Sequence, residues 1–387
     1  MEPIVTSMID TDSYKINMQN YVFKQHPLAE VEYDFVCRNK DVNLGFLKDE
    51  IVEQVNNLRD IRLTKQEADY LRAVRFLSKE YLDFLENFEF NPEKHVIIES
   101  VDKKLFIKIK GKWIDTILYE VPILAIVNEL YFRETSEFNT IRGVGERNLR
   151  DKINLIRQYP TFHFADFGTR RRYSKAWQEY VVKELKRHCP QLIGTSNVKL
   201  AMELGIKAIG TIAHEIIQCN LAFVDDIRQA QKRAFYTWME TYGTDNGIAL
   251  SDTFTTKAFF KDFDFVLANN FQGVRQDSGS PIEFGRNMIN HYKKMGIDPI
   301  TKTIVFSDGL TVPKAIEIYK EFVGLIGVSF GIGTSLTNDL SVTPLNIVIK
   351  VTRCNGLPVI KLSDDITKAI GDKEMIEKVK KAYDINA

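Results

Sequence analysis

His214 lies in KAIGTIAHEIIQ (207–218), one step past a short apolar run and next to Glu215. A neighbouring carboxylate can fix an imidazole tautomer and raise its basicity, which makes the ring a better nucleophile or base. The same placement also suits a satisfied core histidine. A metal site would need other His or Cys residues at ligand spacing, and the other five histidines provide none. Three aspartates end apolar runs beside small or hydroxyl residues: Asp252 in LSDTF (250–254), Asp277 in QDSGS (276–280) and Asp308 in SDGL (307–310). Each can accept from sugar hydroxyls, hold Mg²⁺ or stabilise positive charge, and each can equally cap a following helix. Three at equivalent places point to one shared site.

Two further stretches suit an anionic ligand. In FGIGTSLTND (330–339), Gly331 and Gly333 allow close backbone approach to an anion, while Thr334 and Ser335 add hydroxyls. The plain alternative is a Gly turn leaving a strand. DFGTRRRYS (166–174) sets Arg170, Arg171 and Arg172 beside Phe167. A guanidinium fork pairs with carboxylates and phosphates, and the ring offers a face to a planar substrate. A solvated basic helix start would read the same way.

These residues need a frame that brings them to one place. From residue 160 onward, seven apolar runs each end in a polar or small cluster: FHFADFGTR, LIGTSNV, KAIGTIAHE, GIALSDTF, FQGVRQDSGS, TIVFSDGL and GVSFGIGTSLTND. Helical stretches such as SKAWQEYVVKELKRH (174–188) and VPKAIEIYKEF (312–322) separate most of them. Alternating β and α units predict a parallel sheet. Functional groups at the ends of many successive strands favour a barrel over an open sheet, whose groups cluster at one switch point. The expected fold is α/β: an irregular seven-stranded (β/α) barrel over 131–340, carrying the active site. A smaller α/β sandwich domain with a helical insertion is expected from 1–130 plus 341–387.

Within that second unit, 46–58 and 64–88 have helical spacing, and Thr64 with Glu67 suggests a capping box. Residues 95–120 read as antiparallel strands with a Gly turn before Trp113, and 121–138 as a helix opened by Pro122. NIVIKVTRCNGLPVIKLS (346–363) reads as a hairpin around Asn355-Gly356 that rejoins the strands near 95–120.

The chain as a whole narrows the classes. Its 387 residues carry 52 Lys+Arg and 52 Asp+Glu, a balance without the broad electrostatic footprint of nucleic-acid or membrane binding. VPILAIV (121–127) and similar runs are far too short to span a bilayer. The N-terminal MEPIVTSMIDTDSYK has no basic region followed by an apolar stretch, so no secretory signal is expected. Four scattered cysteines with no CxxC pair suggest reduced thiols in a cytoplasm.

TDSYK (11–15), FADFGTRRR (164–172), GTSNV (194–198), GTIAHE (210–215), DTF (252–254), RQDSGSP (275–281), SDGL (307–310) and FGIGTSLTND (330–339) resemble, in order, the motifs of the nicotinate phosphoribosyltransferases. The resemblance implies that nicotinate and 5-phosphoribosyl 1-pyrophosphate give nicotinate mononucleotide and pyrophosphate, for NAD biosynthesis. ATP is the implied co-substrate, its hydrolysis coupled through a phosphorylated histidine, His214 by motif position. Mg²⁺ would be bound mainly through substrate. By the same resemblance Asp277 and Asp308 bind ribose hydroxyls and steady the transition state. Asp252, Arg275, Ser278, Gly309, Gly331, Gly333 and Thr334 would bind the phosphoribosyl pyrophosphate.

Nicotinate would lie between Phe167 and Tyr14, near Arg170, Arg171 and Ser196. In dimeric relatives that tyrosine reaches over from the partner subunit, so a homodimer is a candidate assembly. Relatives preferring nicotinamide carry Asp in place of Ser196. An aspartate repels a carboxylate to which serine can donate, so the acid is the expected substrate. The alternatives are a nicotinamide-using enzyme, a quinolinate-using one, and a barrel-derived binding protein without turnover. An aldolase-like barrel is also conceivable, although no lysine stands at a strand end.

Overall fold

The computed structural model describes residues 2–365 and 369–385; residue 1, 366–368 and 386–387, part of the expected sandwich range, lie outside them. Among the described residues there are two sheets, one of five strands and one of seven.

The five-stranded sheet begins with β1 (Glu30–Cys37), in which Val31, Tyr33 and Phe35 turn inward and alternate with Glu30, Glu32 and Asp34. This strand was absent from the sequence reading of the helix-rich first third, yet it is the centre of its sheet. One edge pairs antiparallel with β3 (Lys104–Lys112), which in turn pairs with β2 (Val96–Val101). The β2–β3 hairpin turns at Asp102 and Lys103, with φ of 49° and 66°. The expected Gly turn before Trp113 is therefore not a turn. Gly111 stays in β3 opposite Val31, where a Cβ would come within 2.9 Å of the His95 ring.

The seven apolar runs form seven parallel strands: β4 (Phe164–Asp166), β5 (Leu192–Thr195), β6 (Lys207–Ala208), β7 (Ile248–Leu250), β8 (Gly273–Gln276), β9 (Thr303–Phe306) and β10 (Gly327–Ile332). Their order, β6-β5-β4-β10-β9-β8-β7, curls the sheet into an irregular barrel with β6 and β7 at its two edges. Across that seam the Thr211 hydroxyl donates to the Ile248 carbonyl at 2.9 Å. Burial on both faces explains why these strands read as continuous apolar runs. Phe162, Phe330, Phe306 and Phe322 stack successively between β4, β10, β9 and the helix behind them, with ring centroids 5.0–5.8 Å apart.

The chain then returns to the first sheet. β11 (Ile347–Cys354) and β12 (Leu357–Pro358) form the expected hairpin, with Asn355 and Gly356 both at positive φ. β11 pairs with β1, so the hairpin rejoins the sheet of the 95–120 strands, with β1 between them.

The helices follow their caps. Thr64 and Glu67 form a full capping box, but the 64–88 pattern divides into Lys65–Arg72 and Lys79–Glu86, because Ser78 caps a second helix. The segment opened by Pro122 is the helix Glu120–Thr135. Near the N-terminus, residues 9–13 lie against the loop after β5: Ser13 N donates to Ser196 O, and Val198 N to Thr11 O. That contact sets the start of the helix Ser13–Gln25 over the barrel mouth. Among the described residues no helix is long and apolar enough to cross a membrane.

Candidate active site

A cavity of about 210 Å³ is sunk between the barrel strands. Phe167, just past β4, is fixed by its backbone N–H to Ile332 O at 2.9 Å. Its ring lies over Gly331, where a Cβ would approach the ring carbons to 2.4 Å. The first glycine of the expected anion cradle thus makes room for an aromatic wall. Tyr14 of the same chain also lines the cavity, and Gly210 lets it approach, since a Cβ there would be 2.5 Å from Tyr14 N. Ser196, Arg170 and Asp12 belong to its polar lining, with Arg275 and three further hydroxyl residues.

The three consecutive arginines separate. Arg170 lines the cavity and lies 5.7 Å from the centre of the Tyr14 ring. Arg171, expected beside the pyridine, opens instead onto the neighbouring cleft, and its Nε donates to Ile347 O. Burial pulls the Arg171 pKa down to about 10, with Arg170 and Arg38 adding to the effect. Arg172 is buried and grips both oxygens of Asp10 at 2.8 and 2.9 Å. Burial would raise the Asp10 pKa, but this fork holds it at about 2. Arg172 is therefore structural.

A wider cleft of about 690 Å³ opens beside the cavity, and Phe167, Arg170, Arg275 and Gly331 belong to the walls of both. Asp277, Asp308, Gly309, Gly333 and Thr334 line this cleft from the ends of β8, β9 and β10. Gly309 takes a φ of 55°. Ser335 Oγ donates to Leu310 O at 2.6 Å, tying the last loop to the one before it. Arg275 donates to Ser307 Oγ and to Asp277 Oδ1 at 2.8 and 2.9 Å. Burial pushes the Asp277 carboxyl up, but Arg275 beside it outweighs that, so Asp277 stays well below the ordinary carboxylate range.

His214 lines the same cleft and begins the short helix His214–Cys219. Its Nε2 lies 2.9 Å from Asp252 Oδ1, 2.7 Å from Lys361 Nζ and 3.8 Å from Asp277 Oδ2. The orienting carboxylate is therefore Asp252, not the adjacent Glu215. Glu215 points away and accepts from Lys15 (2.6 Å), Tyr33 (2.6 Å) and Trp113 (2.7 Å). Asp252 and Ser278 were expected on the phosphoribosyl wall. Both are fully buried behind His214, where Ser278 Oγ and Lys361 Nζ donate to Asp252 Oδ2 at 2.6 and 3.0 Å. Burial would push the Asp252 carboxyl up, but His214 and the Lys361 ammonium hold it well down. Burial pulls His214 to about 4, Lys361 reinforces this and Asp252 only partly opposes it, so the ring is neutral at physiological pH.

His214, Asp252 and Asp277 converge closely enough to suggest a metal. They do not fit Mg²⁺. The Lys361 ammonium already contacts two of the three, and Mg²⁺ demands an octahedral set of oxygens. Lys361 and Asp12 escaped the sequence reading. Lys361 lies on the return stretch after the hairpin with no local pattern to mark it. Asp12 lies in TDSYK two residues before Tyr14, where its side chain could equally be a helix N-cap.

Comparison with known proteins agrees with this geometry. Residues 162–387 match the model of the nicotinate phosphoribosyltransferase (NAPRTase) family, and residues 9–128 that of its N-terminal domain. The chain is 43% identical to a nicotinate phosphoribosyltransferase of Photorhabdus laumondii, over 99% of its length and 97% of the relative's. It is 45% identical to one of Burkholderia mallei, over 95% and 94%. The crystal structure of a nicotinate phosphoribosyltransferase from Vibrio cholerae superimposes with a TM-score of 0.94 at 37% identity, covering 100% of this chain and 95% of that one. One from Porphyromonas gingivalis gives 0.93 at 35%, covering 99% and 100%.

Proposed function

The chain belongs to the nicotinate phosphoribosyltransferase family, and from that premise we propose that it converts nicotinate and 5-phosphoribosyl 1-pyrophosphate to nicotinate mononucleotide and pyrophosphate, coupled to ATP hydrolysis through His214. One observation carries the reading: an aromatic-walled cavity and a wide polar cleft share the walls formed by Phe167, Arg170, Arg275 and Gly331. A flat ring held in the first and a ribose held in the second would meet across these shared walls.

Phe167 and Tyr14 bracket the pyridine, and Arg170 supplies the charge that favours the acid. The loops with Gly309, Gly333 and Thr334 take the 5-phosphate. The pyridine nitrogen lone pair forms the bond to ribose C1 as the C1–O bond to pyrophosphate breaks, and both electrons of that bond leave with pyrophosphate. Asp277, kept ionised by Arg275, faces the positive charge that grows on the ribose ring. Asp308 is placed at the same rim to accept from ribose hydroxyls.

His214 acts at the other end of the cleft. In the tautomer whose Nε2 proton goes to the ionised Asp252, rather than the one that accepts from Lys361, the imidazole lone pair lies on Nδ1. Nδ1 takes the γ-phosphoryl group of ATP, releasing ADP, and hydrolysis of the phosphohistidine returns free His214 and phosphate. Any Mg²⁺ would come with the substrates rather than from ligands of the protein, and would supply charge neutralisation to the leaving pyrophosphate. The same reading places the enzyme in the cytoplasm, with its four cysteines as free thiols.

The test is mononucleotide formation from 5-phosphoribosyl 1-pyrophosphate, with nicotinate, nicotinamide and quinolinate offered separately, each with and without ATP. Product from nicotinate, strongly stimulated by ATP, is expected. Product mainly from nicotinamide, or none from any of the three, would overturn the assignment.

A further inference from the structure

Ser196 and Asp12 touch each other on the wall of the pyridine cavity. Ser196 Oγ donates to Asp12 Oδ1 at 2.6 Å, and Arg170 Nε stands 3.5 Å from Oδ2. Both residues are buried, at 4% and 2% exposure, so no bulk water screens the contact. A hydroxyl has a single proton. While Ser196 gives that proton to Asp12, it shows only lone pairs to the cavity. Lone pairs accept from the NH₂ of an amide and oppose a carboxylate. Serine at this position is therefore not by itself a donor for the acid.

The surrounding charges make the conflict sharper. Asp12 faces Arg170 from the turn after β4 and Glu120 from the helix Glu120–Thr135. Asp166 approaches from β4, and Tyr14 and Lys15 belong to its own helix. In the linked buried set, Asp12, Glu120 and Glu215 carry three negative charges against three positive ones on Lys15, Arg170 and Lys350, the last facing Glu120 from β11. A pyridine carboxylate would leave this balanced set one charge negative.

One added proton resolves both problems. A protonated Asp12 donates to Ser196 Oγ, the serine hydroxyl turns its own proton to the substrate carboxylate, and the net charge of the filled site is unchanged. We infer that the Asp12–Ser196 pair takes up one proton when the pyridine acid binds, and that this proton selects the acid over the amide. Burial, only partly opposed by Arg170, already raises the Asp12 carboxyl above its ordinary range, the direction that favours the uptake. The inference rests on nicotinate being the substrate.

Asp12→Asn is the direct probe, because its amide NH₂ donates permanently to Ser196 and mimics the protonated pair. The readout is kcat/KM for nicotinate and for nicotinamide, in wild type and variant, from weakly acidic to alkaline pH. Substrate ionisations are common to both proteins and cancel in their ratio. For nicotinate, wild type should fall by about tenfold per pH unit relative to the variant once Asp12 ionises. The variant should also use nicotinamide less well than wild type does. Asp166, pushed up to about 6 by burial with a smaller push from Asp12, titrates lower in the variant, so the ratio is read above about pH 7, where Asp166 is ionised in both proteins. Calorimetric titration of wild type with nicotinate, in two buffers of different protonation enthalpy, should show uptake of about one proton per site; this arm does not depend on the variant folding. A pH-independent ratio, or binding without proton uptake, overturns the inference while leaving nicotinate as the substrate. Absence of nicotinate turnover in wild type at every pH removes that premise and overturns the inference with it.

Discussion

A histidine accepts a phosphoryl group only if one ring nitrogen keeps its lone pair, and His214 meets that condition through residues remote in sequence. Asp252 is 38 residues away and Lys361 is 147 away. The sequence marked the histidine as reactive but could not show its partners, because neither lies at a helical or strand spacing from it. The adjacent Glu215, the local guess, turned out to face the other way. With its pKa near 4, His214 is already neutral at mildly acidic pH. Histidine phosphorylation by ATP should therefore show no inflection near the ordinary imidazole pKa of about 6.5, and a clear rise through that pH would contradict the burial argument. Ser196→Asp should raise the KM for nicotinate by about a hundredfold or more, from a second buried negative charge. Steady-state kinetics would check it, with nicotinamide as the control that suffers less. Gly331→Ala puts a methyl group where the Phe167 ring sits. It should raise nicotinate KM by about tenfold, ~1.4 kcal/mol, with little loss of stability.

Whole elements were more legible than contacts. All seven barrel strands could be read from their apolar runs, because strands buried on both faces need no polar alternation. β1 was missed although Val31, Tyr33 and Phe35 alternate cleanly. Its outward acids, Glu32 and Asp34, find Lys110 and Lys108 across the sheet at 3.0 and 3.7 Å, a match visible only once β3 is beside it. The short helix His214–Cys219 is buried along its length, with Ile216, Ile217 and Cys219 in the core. Its polar anchor is Glu215, which accepts from Lys15, Tyr33 and Trp113 and so ties His214 to the first sheet and to the N-terminal helix. Glu215→Ala should cost about 3–5 kcal/mol, since Lys15 loses a buried partner and two donors are orphaned. Urea unfolding would measure it; a loss below about 1 kcal/mol would mean the network does not hold the helix.

At the scale of the molecule, two sheets meet so that side chains from both surround one reaction path, with the barrel supplying the cavity and the first sheet backing His214. That joint could not be read from either half alone, and it explains why Lys361 and Asp12 were missed while the barrel residues were found. It also sets an acid limit on stability. His26 and His214 are both pulled to about 4 by burial, while an unfolded chain protonates them near 6.5. The unfolded state thus binds more protons between those values, and unfolding free energy should fall as pH drops from about 6.5 to 4. His214→Asn should flatten part of that fall. The measurement that tests the account most directly is transfer of label from γ-phosphate-labelled ATP to the protein. Wild type should acquire acid-labile, base-stable phosphate on His214, discharged when nicotinate and 5-phosphoribosyl 1-pyrophosphate are added, and His214→Asn should acquire none and lose ATP stimulation. Equal labelling of the variant, or nicotinate turnover stimulated by ATP without any labelled protein, would contradict it.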